Sequence, residues 1–317
     1  METELPVEGG FAVERTTPLS YALLLFMGVA WGLAISLAKL AGSHGGHPIG
    51  LALWQVCTSG SLLLVLSLII GPRHRLNPGI LQFSLICGAV GVAFPAIALF
   101  WSALYLPAGI VALAFASMPL FTYLFSVLFG VESGEWRRLL GVVVGLSAIA
   151  LLVLPEEALP GPGLAPWVLL GVAASISMSF ENFYAGGYRP PDSSSIHLSC
   201  GRQFGAVLYL TPLAVLTGTT IPLLETWGVV QWAATGTGVA AGIAYTVLLH
   251  VIRTSGPVFA SQTAYIITIA GVGWGMILFG ERHSVYIWIT LALTLAAIAL
   301  VKPRQSSAAG RRSISSD

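Results

Sequence analysis

The sequence LPAGIVALAFASMPLFTYLFSVLFGVESGEWRRLLGVVVGLSAIALLVLP, residues Leu106–Pro155, decides the fold because a second version of it follows later in the chain. It contains two long apolar runs that are joined by a short polar segment around Glu132. Residues Ser255–Pro303 repeat this order, with two apolar runs joined at Glu281. A unit of two hydrophobic segments and an acidic turn therefore occurs twice, and such internal duplication is typical of secondary transporters.

The composition of the 317-residue chain indicates an integral membrane protein. Hydrophobic residues make up 56% of it and charged residues only 9%, whereas about a quarter of the residues in a soluble domain are charged. The net charge of +1 gives no reason to expect a nucleic-acid partner. Cys57, Cys87 and Cys200 all lie inside apolar runs, so we interpret them as core residues and expect neither a disulfide set nor a metal site.

The apolar runs predict an all-α integral membrane protein with ten transmembrane helices. Each run has about the 18 to 25 residues that cross the hydrocarbon core of a bilayer. The predicted helices cover residues 19–41, 48–71, 80–102, 107–130, 136–154, 165–187, 195–217, 227–251, 257–280 and 284–301.

Basic residues between these runs predict the orientation, because Lys and Arg accumulate in short cytoplasmic loops. With a cytoplasmic N-terminus, only Lys39 and Arg282 flank the outer ends of helices, and Arg202 lies within one. All the other basic residues fall on the inner side: Arg15, Arg73, Arg75, Arg137, Arg138, Arg189, Arg253, Lys302, Arg304, Arg311 and Arg312. We therefore expect both termini in the cytoplasm, with the first helix acting as an uncleaved signal anchor.

Two halves of five helices each must enter the membrane in opposite directions, because five is an odd number. The sequence thus predicts two inverted five-helix repeats. The expected divisions are a cytoplasmic N-terminal tail (1–17), a first repeat (18–155), a linker rich in Pro and Gly (156–164), a second repeat (165–302) and a disordered cytoplasmic tail (303–317).

Several residues resemble a known family when taken together. They are Trp31 and Gly32 in the first helix, Lys39 near its end, Pro119 in the fourth, and the acidic turns at Glu132 and Glu281. The combination is similar to the drug/metabolite transporter superfamily, and within it to the EamA-type exporters, over residues 18 to 302. The resemblance implies a central cavity lined chiefly by helices 1, 3, 4, 6, 8 and 9, with helices 5 and 10 peripheral. It also implies efflux of metabolites or amino acids across a cell membrane, here the bacterial inner membrane.

Two charged residues within the predicted helices are the first candidates for a site. Glu181 lies about 9 Å from the cytoplasmic end of helix 6, and Arg202 lies about 10 Å from the same end of helix 7, at 1.5 Å per residue. Matching depths on adjacent helices allow an ion pair. Two interpretations stay open. The pair is a structural clamp, or it forms a site in which Glu181 couples transport to protons or binds a substrate amine, while Arg202 tunes the affinity of Glu181 or holds a substrate carboxylate.

Aromatic and neutral polar residues supply the other candidates for substrate contacts. An apolar or aromatic substrate is favoured if several aromatic residues contact it. Packing of the helices explains these residues equally well. The candidates are Trp31, Gln55, Asn182, Tyr184, Gln262 and Tyr265, and Tyr245 is one of several further aromatic residues on helices that are expected to border the cavity.

Three further features are expected to serve the architecture. Lys39 is expected to extend to the membrane interface. The carboxylates of Glu132 and Glu281 are expected to interact favourably with the positive N-terminal ends of helices 5 and 10. The small residues Gly141 and Gly145 allow close helix contact, either within the chain or in a homodimer.

The sequence favours a secondary transporter of small organic metabolites that works by alternating access. The alternatives are an integral membrane enzyme and a membrane scaffold or signalling protein without transport activity. No nucleophile has a recognisable base and orienting acid, so we expect no enzymatic activity. No phosphate-binding loop is present, so we expect no ATP coupling and no cofactor. The expected partners are a small-molecule substrate, protons as a coupling ion, and the lipid bilayer.

Overall fold

The computed structural model describes residues 17–70, 77–191, 193–222, 226–256, 259–260 and 262–301, and this part of the chain is helical without strands. Its helices are numbered here in chain order. They are α1 (Pro18–Ser43), α2 (Pro48–Ile70), α3 (Pro78–Tyr105), α4 (Ala108–Leu128), α5 (Trp136–Val153), α6 (Ala165–Gly187), α7 (Ser195–Leu216), α8 (Val229–Ser255), α9 (Thr263–Phe279) and α10 (Val285–Val301).

The helix boundaries agree with the predicted ones to within a few residues, with three corrections. Helix α3 continues to Tyr105, three residues beyond its predicted end, α8 continues to Ser255, and α9 begins at Thr263, six residues after its predicted start. Several predictions concern residues outside the described part of the chain. These are both tails and the basic residues Arg15, Arg73, Arg75, Lys302, Arg304, Arg311 and Arg312.

Among the described residues, seven helices are long and apolar enough to cross a membrane: α1 to α6 and α8. Helices α9 and α10 are apolar but have 17 residues each. Helix α7 has 22 residues and carries Arg202 and Gln203. Large apolar side chains on the outside of the bundle, such as Leu68 and Leu216, face outward as expected for a surface in contact with lipid.

Proline and short polar residues fix where helices begin. Pro18 and Pro78 occupy the first positions of α1 and α3, where a missing N–H breaks no helical hydrogen bond. Thr17 and Asn77 precede them and accept hydrogen bonds from the first free backbone N–H groups. Ser194 does the same at the start of α7, where its side chain accepts from His197 N.

The helices pack in a pattern that joins the first half of the chain to the second. Helix α1 packs on α8 and α9, while α6 packs on α3 and α4. Helix α2 contacts α7 and α8, and α3 also contacts α7. Helices α5 and α10 pack chiefly on each other, which leaves them beside this group.

Glycine permits the closest of these contacts. A Cβ atom added at Gly32 of α1 would lie 2.7 Å from the Cβ atom of Ala270 in α9. The predicted contact motif in α5 packs within the chain, because a Cβ atom at Gly141 would lie 2.8 Å from the carbonyl oxygen of Ala297 in α10. Gly145 faces Leu120 and Ala297 in the same way. These two glycines are therefore covered by α4 and α10 and are not free for a partner chain.

Lys39 has an acidic partner that the sequence analysis did not predict. Its Nζ atom lies 2.6 Å from Glu281 Oε1, so the side chain joins α1 to the turn before α10. Glu281 also accepts hydrogen bonds from the backbone N–H groups of Ala108 and Gly109. This carboxylate therefore caps α4, not α10, and it does so because the first N–H groups of a helix lack partners.

His283 completes this cluster. Its Nε2 atom lies 3.7 Å from Glu281 Oε2, and its side chain is buried. Burial lowers the pKa of the imidazole, Glu281 raises it and Lys39 lowers it, and the net shift is downward. At the other turn of the duplicated unit, Glu132 pairs with Arg138. Its carboxylate therefore also has a basic side chain as its partner.

Candidate functional site

A pocket with about 480 Å³ of empty space, its open mouth included, lies where the two halves of the chain meet. Its walls come from α1, α2, α3, α4, α6, α8 and α9. The lining residues are Trp31, Ala34, Ile35, Gln55, Pro95, Ala96, Leu99, Phe115, Met118, Met178, Thr237, Ala241, Tyr245 and Ile267.

The pocket wall is mainly aromatic, aliphatic and thioether in character. The rings of Trp31 and Tyr245 meet edge to face at 5.1 Å between centroids, which is a favourable aromatic arrangement. Gln55 contributes a buried amide, and its Oε1 atom has no hydrogen-bond partner among the described residues. Thr237 donates its hydroxyl to the carbonyl of Ala233 in its own helix.

Close packing of α2 against α8 puts Gln55 in this wall. A Cβ atom at Gly238 would lie 2.7 Å from the Gln55 carbonyl oxygen, and one at Gly242 would lie 3.0 Å from the Cβ atom of Ser59. Any larger side chain at these two positions of α8 therefore forces α2 away. Small residues at such a contact are the usual means of bringing membrane helices together.

The ion pair expected between α6 and α7 is present. Arg202 Nη1 lies 2.8 Å from Glu181 Oε1, and both side chains are completely buried. Neither residue lines the pocket. Each charge is costly in an apolar environment, and together they offset much of that cost.

A local departure from α-helical geometry provides further partners for the pair. Residues Ala89–Ala93 of α3 form a π-helical turn that runs into Pro95. Proline has no N–H to donate, so the preceding turn retains carbonyl groups without a backbone donor. Gly91 O accepts from Arg202 Nη2 and from the Tyr245 hydroxyl, both at 3.4 Å. Val90 O accepts from the Ser177 hydroxyl at 2.6 Å.

Glycine at position 91 lets the Glu181 carboxylate lie directly against the backbone. An added Cβ atom would sit 2.5 Å from Glu181 Cδ, so any other residue forces the Glu181 side chain to shift. The π-helical turn thus receives side chains from three helices: Glu181 and Ser177 of α6, Arg202 of α7 and Tyr245 of α8.

Tyr245 connects the pocket with the ion pair. Its ring forms part of the pocket wall, and the Arg202 guanidinium carbon lies 4.5 Å from the centre of the same ring. The attraction of a cation to an aromatic face is strongest where water is excluded. A ligand that moves Tyr245 must therefore disturb the surroundings of Arg202.

The remaining candidates from the sequence divide into two groups. Asn182 is buried, and its amide donates to Met118 Sδ at 3.1 Å, directly behind the pocket wall. Tyr184 stacks between Phe180 and Tyr188, and Gln262 and Tyr265 are half-buried near the start of α9. These last three candidates do not line the pocket.

Sequence reasoning placed Tyr245 only among many aromatic residues and gave no role to Gly91. Gly91 did have a signal in the sequence, because Gly88, Gly91 and Pro95 lie in one apolar run, and Gly and Pro mark irregular turns within helices. Met118, Met178 and Thr237 had no local signal, because nothing in the sequence fixes the face that a uniformly apolar helix turns toward a cavity.

Comparison with known proteins identifies the family. An Escherichia coli K12 protein called "Uncharacterized inner membrane transporter YedA" is 29% identical over 297 residues, which cover 89% of this chain and 90% of the relative. A "Probable terminal-alkyne amino-acid exporter" of Streptantibioticus cattleyicolor is 22% identical, covering 92% of this chain and 98% of that protein.

The fold is also that of a solved structure. A crystal structure with 18% identity covers 90% of this chain and 96% of its own, with a TM-score of 0.64. The profile of the EamA-like transporter family matches residues 18–154 and again residues 165–302. A pocket lined by helices from both matched segments is what a duplicated membrane transporter requires, and this chain belongs to the EamA-like transporter family.

Proposed function

We propose that this membrane transporter is a secondary carrier that exports small organic metabolites, such as amino acids or related compounds, by alternating access around the central pocket. The observation that carries the proposal is the position of the pocket. Its lining residues come from α1 to α4 in the first matched segment and from α6, α8 and α9 in the second. A site shared by two halves opens to one side when the halves rock one way and to the other side when they rock back.

The packing pattern supports ten transmembrane helices in two inverted five-helix repeats. If the halves are equivalent, each helix of the first half corresponds to the helix five places later, so α1 corresponds to α6 and α3 to α8. The α1–α8 contact then corresponds to α6–α3, and the α1–α9 contact corresponds to α6–α4. The α2–α8 contact corresponds to α7–α3. The α2–α7, α4–α9 and α5–α10 contacts each join two equivalent helices. Such a pattern is expected for halves related by a two-fold axis. The proposed repeats cover residues 18–155 and 165–302, with 156–164 as linker.

The proposed location is the bacterial inner membrane, with both termini in the cytoplasm. The E. coli relative is named an inner membrane transporter. The basic residues Arg137, Arg189 and Arg253 would then lie on the cytoplasmic side, in agreement with the positive-inside rule. Lys39, Glu281 and His283 would form a closure on the outer side. A homodimer stays a prediction.

Export is proposed to depend on Glu181 as the proton-coupling carboxylate. A buried carboxylate that alternates between a charged form paired to an arginine and a neutral form changes its interactions with each proton. Tyr245 links that change to the pocket wall through its contacts with Arg202 and Gly91 O. Substrate and proton would thereby act on the same contacts between helices.

Trp31 gives a direct test of the transport site. Replacing Trp31 with alanine is expected to lower the flux of transported solutes at least tenfold, because it removes a large part of the pocket wall and its contact with Tyr245. The measurement is solute flux in vesicles reconstituted with the purified protein, using a panel of small metabolites.

Trp288→Ala provides the matched control, because Trp288 lies in α10 with 45% of its surface exposed. It is expected to transport like the unmodified protein. Absence of flux for every solute with correctly folded protein, or equal flux in both variants, would contradict the proposal.

A further inference from the structure

The turn between α9 and α10 fastens the second half of the chain to the first. Glu281 in this turn accepts hydrogen bonds from Lys39 Nζ at 2.6 Å and from the backbone N–H groups of Ala108 and Gly109. Lys39 belongs to α1, and the other two donors begin α4. One carboxylate of the second matched segment therefore holds two helices of the first, at the end of the bundle that is proposed to face outward.

His283 is the titratable neighbour of this carboxylate. Its side chain is 1% exposed, and its Nε2 atom lies 3.7 Å from Glu281 Oε2, which is too long for a hydrogen bond. Within the described structure this nitrogen makes no hydrogen bond. The ring meets Trp288 edge to face and lies so close to Gly109 that a Cβ atom added there would sit 2.8 Å from His283 Cε1. Among the described residues, the charged groups that face the imidazole are Glu281 of its own turn and Lys39 of α1.

Protonation of His283 offers Glu281 a different partner. Uptake of a proton from water gives the imidazole a positive charge and an N–H group on both ring nitrogens. Glu281 Oε2 accepts only the N–H group of Gly109, at 3.2 Å, so it has room for a second donor. A carboxylate that moves toward the imidazolium in its own turn weakens its bonds to Lys39 and to the start of α4.

The other turn of the duplicated unit already contains such a local pair. Glu132 corresponds to Glu281, and its carboxylate pairs with Arg138 of α5, six residues later in the chain. This pair lies within the first matched segment, whereas the Lys39–Glu281 pair crosses from one segment to the other. The two equivalent turns thus show the local and the crossing arrangement in one structure.

We propose that His283 is a proton-binding site that controls the outer closure. A proton on His283 transfers Glu281 from Lys39 to the imidazolium, and the outer side of the bundle opens. The inference rests on the proposed function, because it requires a bundle that opens alternately to the two sides of the membrane.

The direction of the pH effect follows from the surroundings of His283. Burial lowers the pKa of the imidazole, Glu281 raises it and Lys39 lowers it, and in the closed arrangement the net shift is downward. An imidazole that is hydrated after opening has the ordinary pKa of about 6.5. The open arrangement therefore binds the proton more readily, and a pH below about 6.5 favours it. At higher pH the closed arrangement is favoured.

Spin labels on the two sides of the closure test this proposal. Ser43 at the end of α1 and Val285 at the start of α10 are exposed, and each is replaced by cysteine in a protein without Cys57, Cys87 and Cys200. Pulsed electron paramagnetic resonance measures the distance between the labels in lipid nanodiscs at about pH 8 and about pH 5.5. Acidification is expected to raise the ratio of the longer to the shorter distance about three- to tenfold, since one group with a pKa of 6.5 limits the change to about tenfold.

Variants assign the response to its groups. His283→Gln is expected to show the distances of about pH 8 at both pH values, because an amide takes up no proton in this range. Glu281→Gln and Lys39→Gln lack the crossing ion pair and are expected to show the longer distance at both pH values. The matched control is His47→Gln, because His47 is an exposed histidine in the loop between α1 and α2. It is expected to keep the full pH response.

Three results would overturn the inference: no pH response of the labelled protein, an unchanged response in His283→Gln, or no longer distance in folded Glu281→Gln and Lys39→Gln. Failure of the carrier proposal gives a different result, namely no flux of any solute in reconstituted vesicles. Solute flux together with a label distance that does not respond to pH would keep the carrier and reject the role of His283.

Discussion

Arg202→Met is expected to lower the stability of the folded protein by about 3–5 kcal/mol, the usual cost of removing one partner from a buried ion pair. The substitution leaves the Glu181 carboxylate completely buried and without its counter-charge. It also removes the hydrogen bond to Gly91 O and the contact with the Tyr245 ring. The measurement is denaturant- or heat-induced unfolding of the purified protein in detergent, together with the yield of folded protein.

The double variant Glu181→Met, Arg202→Met is expected to recover most of this stability, because two apolar side chains replace two buried charges. Arg253→Met is the matched control, since Arg253 lies exposed near the end of α8. It should change stability by less than about 0.5 kcal/mol, as is typical of surface substitutions. A double variant as unstable as Arg202→Met alone would show that the lost contacts of Arg202, and not the unpaired carboxylate, cause the defect.

Glu181→Gln is expected to abolish accumulation of substrate driven by a proton gradient while leaving exchange of substrate across the membrane measurable. The amide has nearly the shape of the carboxylate but does not take up a proton in the relevant range. A carrier without its coupling group still changes conformation with substrate bound, but a proton gradient no longer drives it. The expected loss in gradient-driven uptake into reconstituted vesicles is at least tenfold.

Glu132→Gln serves as the control, because Glu132 also pairs with an arginine, Arg138, but lies in the turn before α5. Its proton-driven transport should equal that of the unmodified protein. Normal proton-driven accumulation by folded Glu181→Gln protein would remove Glu181 from the coupling mechanism and leave the ion pair as a structural clamp.

Hydropathy and helix-start residues account for the helices, because both act locally. An apolar run of sufficient length has few alternatives to a helix in a membrane, and Thr17, Asn77 and Ser194 mark starts through bonds to their own neighbours. The Glu181–Arg202 pair was also within reach, because depth along a helix follows from counting residues. A charge at a known depth needs a partner at the same depth.

The rotation of each helix about its own axis could not be predicted from the sequence. Gln55 and Trp31 face the pocket, whereas Tyr184, Gln262 and Tyr265 do not line it. In helices that are apolar on all sides, the hydrophobic pattern does not distinguish a face toward lipid from a face toward a cavity. Contacts between small residues determine instead which face of a helix turns inward, as at Gly238 and Gly242 beneath α2.

Lys39 shows a second limit of the sequence. A lysine near a helix end extends to the interface when nothing opposes it there. Its actual partner, Glu281, is 242 residues away in the chain, and only the assembly of α1, α4 and α10 brings the two together. Pairing over such a separation follows from the fold and not from local spacing.

The accessibility of the pocket from the two sides of the membrane tests the alternating-access account most directly. Ala96 in the pocket wall is replaced by cysteine in a protein without Cys57, Cys87 and Cys200, and Ala148→Cys, fully buried in α5, is the control. The account predicts that a membrane-impermeant maleimide labels position 96 from either side of oriented vesicles. It also predicts that substrate raises the labelling rate from one side of the membrane and lowers the labelling rate from the other side. Labelling of position 96 from one side only under all conditions, or no more than at position 148, would contradict it.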